Sequence, residues 1–492
     1  MNFASPFFLF AFLPICLVCY FLAGKKLRNL LLFAASLIFC IWSGPLFLPI
    51  AAGSALLNYF AGKQIEKAEA DSRKRSQILK IAIVFNILVL LFFKALVVYG
   101  PTGLVAVQTM LGWAKQPIWM AYLLKLIALP TGISFYSFAA IAYLVDIYYA
   151  RTKPAKDLFS FSQYFFLFPK FTAGPIVRFR EIANQLSDRI VSPENINNGF
   201  RRFITGLGKK VLIADRLSLV VDRGIFDQVA PNLPVGTTWM IILFYSLQIY
   251  YDFSGYSDMA IGIGQMFGFT FPENFNYPYI SKSISEFWRR WHMTLSGWFR
   301  EYVFYPLERK KGTGRGYPQY VNILIVFLLT GLWHGVTTNF LIWGLLHGGA
   351  IAIETLWIGK NLKRIWTPLQ VGYAMVLVII GWVFFRSNTP AFAIEFLGNL
   401  VGISSGNGIL PYSLLPVINN STWVAFAAGI LFAGPVYPWF IKTIHRILPE
   451  VNLFSDPKWS GWIRDAILAS ILVVSVAVIA GSTFQPYIYG NF

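Results

Sequence analysis

The chain has 492 residues, 56% of them hydrophobic and 13% charged, against about 25% charged in an average soluble domain; a water-soluble fold is excluded and lipid is the expected solvent. Forty-one Lys and Arg against 22 Asp and Glu give a net charge of +19. In a soluble chain that would point to nucleic acid; in a membrane protein basic loops and anionic lipids account for it, so no nucleic-acid partner is expected.

Residues 5–24, PFFLFAFLPICLVCYFLAGK, precede the basic cluster Lys25, Lys26 and Arg28. A cleaved signal peptide carries its charge first, so this run reads as a retained first span, ending on the cytoplasmic side. Cys16, Cys19 and Cys40 lie inside apolar runs and read as buried packing residues, not as a disulfide or metal framework. Spans at about 29–43 and 45–61 follow, then the basic loop 63–75, a span at 79–99, and a return over 118–149 that ends near Arg151, Lys153 and Lys156. Region 157–235 holds short apolar pieces broken by Gly and Pro. FSFSQYFFLF (159–168) is too short to cross, because crossing takes ~17–25 residues. Re-entrant or interfacial helices are expected there, lining protein or a wet cavity.

A span at about 236–268 is interrupted by YYDFSGYSD, and residues 271–318 are aromatic and basic, hence cytoplasmic. Spans near 319–335, 339–358, 370–386, 423–441 and 463–482 complete the chain; the charge-poor loop 387–422 and both termini face outward, and no internal repeat stands out. The expected fold is an all-α polytopic membrane protein, with about 10–12 transmembrane helices plus re-entrant and interfacial ones. It reads as one domain over 1–492: N-terminal helices to about 120, a core over about 121–360, and C-terminal helices beyond.

TGLWHGVTTNFLIWGLLHGG (330–349) holds two of the four histidines in a nearly uncharged stretch. His334 lies about fourteen residues into its span, ~21 Å along a helix and past the middle of a ~30 Å hydrocarbon core. Ionisable groups at that depth are rare and functional by default, or else inter-helical glue. Imidazole exchanges a proton near neutral pH, and Gly335 leaves room for close approach. His347, in the returning span, reads equally as a helix–helix hydrogen-bonding residue. In SEFWRRWHMTLSGWFREY (285–302), Trp288, Trp291 and Trp298 alternate with Arg289, Arg290 and Arg300 around His292. This fits an interfacial amphipathic helix, or a pocket where Lys282, Arg289, Arg290 and Arg300 hold an anionic donor's phosphates and His292 lines the entrance. His445, beside Lys442 and Arg446, reads as solvated. Asp252 and Asp258 fit helix caps, helix–helix anchors or partners that orient a histidine, and their position beside apolar spans favours caps. Six residues apart, they need not share a face. There is no Walker loop, no GxSxG elbow, no cysteine near these histidines and no cluster of metal ligands.

Seven segments in order, from FASPFFLFAFLPICLVCYFL through LPTGISFYSFAAIAYLVDIY, FPKFTAGPIVRF, YYDFSGYSDMAIGIG, NYPYISKSISEFWRRWHMTLSGWFREYVFYPL and GLWHG to GWVFFR, resemble the membrane-bound O-acyltransferase (MBOAT) superfamily. Within it they are most like the polysaccharide O-acetyltransferases of the alginate O-acetylation type; residues 387–460 resemble it least. The resemblance implies helices ringed around a central tunnel in a bacterial cytoplasmic membrane, with donor entering from the cytoplasm and acceptor from outside. It implies His334 as the catalytic residue and His292 as a second functional histidine; Trp333, His347, Trp288, Trp291, Asp252 and Asp258 are expected to support the pocket. Acetyl-CoA or another acyl thioester, including one on an acyl-carrier protein, would be the donor, with no permanently bound cofactor. A polysaccharide or a separate extracytoplasmic SGNH-type transferase would accept. D-alanyl transfer to teichoic acid, a proton-coupled transporter or flippase, and a non-catalytic scaffold are the alternatives.

Overall fold

The computed structural model describes residues 2–44, 47–69, 72–110, 129–222, 233–312, 316–403, 418–436 and 457–481, with Trp439 and Thr443. Among these every regular element is helical. In chain order they are α1 (Phe8–Leu22), α2 (Lys25–Ser43), α3 (Leu48–Lys67), α4 (Arg73–Met110), α5 (Ile133–Tyr148), the short α6 (Leu158–Phe166), α7 (Phe168–Phe171) and α8 (Phe179–Ser187), α9 (193–221), α10 (Val235–Met266), α11 (Ile284–Arg290), α12 (293–312), α13 (Gln319–His334), α14 (Thr338–Leu362), α15 (Thr367–Arg386), α16 (Pro390–Leu400), α17 (Asn420–Phe432) and α18 (Pro457–Gly481). Five of them, α2, α4, α14, α15 and α18, hold stretches long and apolar enough to cross a bilayer by themselves; α1, α5, α13 and α17 are shorter apolar helices. The chain is an all-α polytopic membrane protein. His445 lies outside the described residues.

Burial separates the helices into an inner and an outer set. Ile133 to Ile147 of α5 are buried without a gap, as is most of α10, whereas α1, α4 and α18 turn large apolar side chains outward. In lipid such exposure costs nothing, so apolar surface does not mark the inside as it does in water. The interior is marked instead by aromatic rings and paired polar groups. Of the cysteines only Cys40 is buried, and Cys19 is exposed on the outer side of α1 rather than packed.

Two expectations change. Residues 157–192 do form short helices, but 193–221 is one continuous helix: Pro193–Gly208 runs through a wider turn, Lys209–Ala214, into Asp215–Val221 without leaving helical dihedrals. And α10 is unbroken, with YYDFSGYSD inside its 32 residues. The reason is that α9 and α10 lie antiparallel at glycine contacts. A Cβ on Gly262 would sit 2.6 Å from the carbonyl oxygen of Gly199, and one on Gly255 would sit 2.7 Å from that of Gly206. Each glycine in a helix costs about 1 kcal/mol in propensity; backbone-to-backbone packing and the ion pairs it permits offset that.

One end of the bundle is tied by charge. Asp146 at the end of α5 takes Arg180 (3.0 Å) and Arg151 (3.2 Å) and accepts from Tyr302 (2.8 Å). Glu301 takes Arg178 (3.1 Å) and Arg180 (2.5 Å). This fixes the start of the wide turn Arg300–Phe304 in α12 against α5 and α8.

Replacing Gly206 by Leu should destabilise the protein by about 1–3 kcal/mol, the usual cost of overpacking, because a Cβ there would already lie 2.5 Å from the carbonyl oxygen of Gly255. Gly236→Leu, with nothing within 4 Å, should be tolerated. Unfolding midpoints in detergent compare the two, and equal midpoints would count against the glycine contact.

Candidate active site

His334 is the last residue of α13, and Gly335 continues in extended backbone (φ 178°, ψ 156°). The space at Gly335 is taken by a side chain of the protein itself: a Cβ there would meet the Phe340 ring at 2.6 Å. Aromatic rings enclose the imidazole, with centroids at 4.5 Å (Trp333), 4.9 Å (Phe385), 5.0 Å (Trp343) and 5.9 Å (Phe340). Glycines hold α13 and α14 together; a Cβ on Gly344 would lie 2.5 Å from the carbonyl oxygen of Phe327. A helix C-terminus leaves carbonyls without amide partners. Here Lys94, buried in α4, donates Nζ to the His334 carbonyl oxygen at 3.2 Å and lies 5.6 Å from the Trp333 ring. The motifs around the histidines do not flag Lys94; its signal in the sequence is a cation deep inside an apolar run.

SEFWRRWHMTLSGWFREY is not one interfacial helix. It breaks between α11 and α12, and His292 sits at the break with left-handed dihedrals (φ 41°, ψ 55°), a conformation uncommon outside glycine but enriched in His. The break turns both short helices' aromatic faces inward. Trp288, Trp291 and Trp298 are therefore buried in protein instead of in a headgroup belt. His292 packs edge-on against Phe253 (4.6 Å) and lies 6.3 Å from Trp333, so that one indole touches both His292 and His334. Its Nδ1 is 3.0 Å from Asn274 Oδ1. Burial holds its pKa well below the usual histidine range, so the imidazole is neutral. His347 accepts from Trp288 Nε1 at 3.4 Å, and Gly381 of α15 backs onto it, a Cβ there meeting Nε2 at 2.6 Å. It bridges α11, α14 and α15, with Trp343 between it and His334.

Two cavities lie between α11 and α14, the first of them touching Trp288. The first, about 340 Å³, is lined by Arg289, Arg300, Trp288, Phe327 and Thr330, one turn before His334. The second, about 540 Å³ and more polar, is lined by Lys282, Arg289, Lys360, Lys363 and Glu354. Ser285 and Arg289 belong to both walls. Lys360 and Lys363 are cations that the span pattern marks only as topology signals. A larger cavity, about 880 Å³ between α9, α10, α17 and α18, reaches Asn274 and Ser257; a histidine lines none of the three.

Residues 149–385, which contain the three buried histidines and both cationic cavities, match the model of MBOAT, the membrane-bound O-acyltransferase family. Over the full length of both chains the protein is 38% identical to the probable alginate O-acetylase AlgI of Pseudomonas aeruginosa. It is 31% identical to the peptidoglycan O-acetyltransferase of Helicobacter pylori, over 100% of this chain and 98% of that one. A teichoic acid D-alanyltransferase of Bacillus subtilis is 28% identical over 51% of this chain and 66% of its own. The protein belongs to the membrane-bound O-acyltransferase family. It is a multi-pass membrane acyltransferase, which sets aside the transporter and scaffold alternatives.

Not every residue anticipated for this acyltransferase joins the cluster. Arg290 is turned away, ion-paired with Glu286 at 2.9 Å and donating to the Asn276 carbonyl oxygen at 3.1 Å, and it lines neither cationic cavity. Asp252 and Asp258 are not caps. Both lie inside α10 and both face α9, Asp252 taking Lys210 at 2.7 Å, Asp258 taking Lys209 at 2.6 Å and Arg202 at 2.9 Å. The i,i+6 spacing reaches one partner because α9 runs alongside and meets each carboxylate with its own basic residue.

The distinction has a measurable size. A lost cap costs about 1 kcal/mol, whereas removing one member of a buried ion pair costs about 3–5 kcal/mol. Lys210→Met withdraws the cation shared by Asp252 and Asp215 (2.6 Å) and should fall in the larger range by thermal unfolding, with Lys210→Met/Asp252→Asn recovering part of the loss. A single-variant cost near 1 kcal/mol would refute the ion-pair role.

Proposed function

We propose that this acyltransferase moves an acetyl group from a cytoplasmic thioester, acetyl-CoA, across the bacterial cytoplasmic membrane to a hydroxyl on the far side. The accepting hydroxyl belongs to a polysaccharide or to a serine of an SGNH-type partner enzyme. The observation that carries the reading is the cavity that begins at Arg289 and Arg300 and ends at Thr330, one turn from the aromatic-enclosed His334. The positive-inside rule puts this basic end in the cytoplasm and both termini outside.

In this reading donor phosphates lie against Lys282, Arg289, Lys360 and Lys363, and the thioester arm follows the 340 Å³ cavity past Arg300. Neutral His334 takes the proton of the acceptor hydroxyl as its oxygen attacks the thioester carbonyl. The carbon–sulfur bond breaks, and the proton returns from imidazole to the departing thiolate. The rings around His334 exclude water, which would otherwise hydrolyse the thioester. Attack by the imidazole itself would give an acyl-histidine and ping-pong kinetics. Acetyl transfer is favoured over D-alanyl transfer because the O-acetyl-transferring relatives align end to end and the D-alanyltransferase over half of the chain.

His334→Ala, present at wild-type level in the membrane, should abolish acetyl ester on the cell's extracytoplasmic polymer; wild-type ester content in that variant would overturn the catalytic assignment. Arg289→Gln and Arg300→Gln should each raise the KM for acetyl-CoA roughly tenfold or more, from the ~1.5–3 kcal/mol of a charged hydrogen bond, and leave kcat nearly unchanged. Membrane vesicles supplied with labelled acetyl-CoA read both constants.

A further inference from the structure

His292 has a fixed proton arrangement that its own motif does not specify. Asn274, just beyond α10, is held on three sides. Its Nδ2 donates to Ser257 Oγ at 3.0 Å. Its Oδ1 accepts from Thr294 Oγ1 at 2.8 Å and from the Thr294 amide at 3.3 Å. Its carbonyl oxygen accepts from the Met293 amide at 2.9 Å. Thr294 Oγ1 accepts in turn from the Ile176 amide at 3.1 Å. A backbone N–H pointing at the amide group admits only oxygen there, which fixes which atom of the Asn274 side chain faces His292.

That atom is an acceptor, and His292 Nδ1 lies 3.0 Å from it. Two lone pairs at that distance repel, so Nδ1 carries the hydrogen. A neutral imidazole has a single N–H, which leaves Nε2 as a bare lone pair. Nε2 is buried and has no hydrogen-bond partner among the described residues, a state that costs about 1–3 kcal/mol unless a ligand fills it. The ring lies beside Trp333, and Leu295 and Ser296, one turn further along, line the cavity that leads to Thr330.

We propose that Asn274 is a positioning residue that locks His292 in the Nδ1–H tautomer, so that Nε2 meets the reacting substrates as a hydrogen-bond acceptor and not as a donor to the thioester carbonyl oxygen. The inference rests on the acyl-transfer reading of this site. The partner it calls for is an N–H, O–H or S–H group of donor or acceptor; oxyanion stabilisation has to come from elsewhere. The left-handed backbone at His292 and the Met293–Asn274 bond belong to the same device, since they aim Nδ1 at the amide oxygen.

Solid-state nitrogen NMR of protein carrying isotopically labelled histidine in lipid nanodiscs, with His292 assigned by difference from His292→Gln, should show a protonated Nδ1 and an unprotonated Nε2. A protonated Nε2 would overturn the proposal whatever the activity. Asn274→Ala should lower kcat about 10–100-fold, the size of loss known where a group that orients a metal-bound histidine is removed, with donor KM within twofold and a mixed tautomer signal. Asn274→Asp, whose carboxylate still accepts from Nδ1–H, should recover most of kcat. Wild-type kcat in Asn274→Ala would also overturn the proposal. If that variant does not fold, the wild-type spectrum decides alone. A wild-type protein that transfers no acetyl group would sink the acetyl-transfer reading and leave the tautomer result standing.

Discussion

The structure depends first on the contact between α9 and α10. Glycines at 199 and 206 on one helix and 255 and 262 on the other bring two backbones to a separation no side chain would allow. Only at that separation do Lys209, Lys210 and Arg202 reach Asp258 and Asp252. Without a hydrophobic force between helices in lipid, close packing and satisfied polar pairs are what hold them together. The rest of the site hangs from α10: Ser257 holds Asn274, Asn274 holds His292, and Phe253 packs on the imidazole. A change that spread α9 from α10 would reach His292 without altering a histidine.

The three buried histidines are alike in burial and different in surroundings. His334 ends a helix inside a shell of rings, with a lysine on its carbonyl oxygen; His292 occupies a strained turn and is oriented by an amide; His347 takes an indole N–H and is backed by a glycine. Trp333 lies beside His292 and His334, and Trp343 beside His334 and His347. In a pocket with so few polar groups, each one's donor or acceptor character fixes how a substrate can lie. On the proposed acetyl transfer, that makes the tautomer of His292 a matter of mechanism.

Cations divide in the same way. Arg289 and Arg300 face a cavity while Arg290, between them in sequence, is spent on Glu286 and the Asn276 carbonyl oxygen. A run of like residues does not say which of them lines a cavity; helix rotation decides that. Lys360 and Lys363 arrive at the same polar cavity from the end of α14, with no local motif to connect them to the aromatic segment.

The amino-acid sequence by itself determined the solvent, the helical class and the approximate spans, and it singled out His334 and His292, which the fold buries. Apolar run length, charge placement and short motifs are local properties, and a bilayer makes them decisive because every backbone group has to be satisfied within its own helix. Only the tertiary structure decided that α10 runs unbroken through YYDFSGYSD, that Asp252 and Asp258 pair with α9 instead of capping, that the tryptophans around RRWH face inward, and that Lys94 and Asn274 stand beside the histidines. Those are meetings of residues up to 240 positions apart. The spacing of either partner along its own helix is compatible with many rotations and neighbours, and packing selects one.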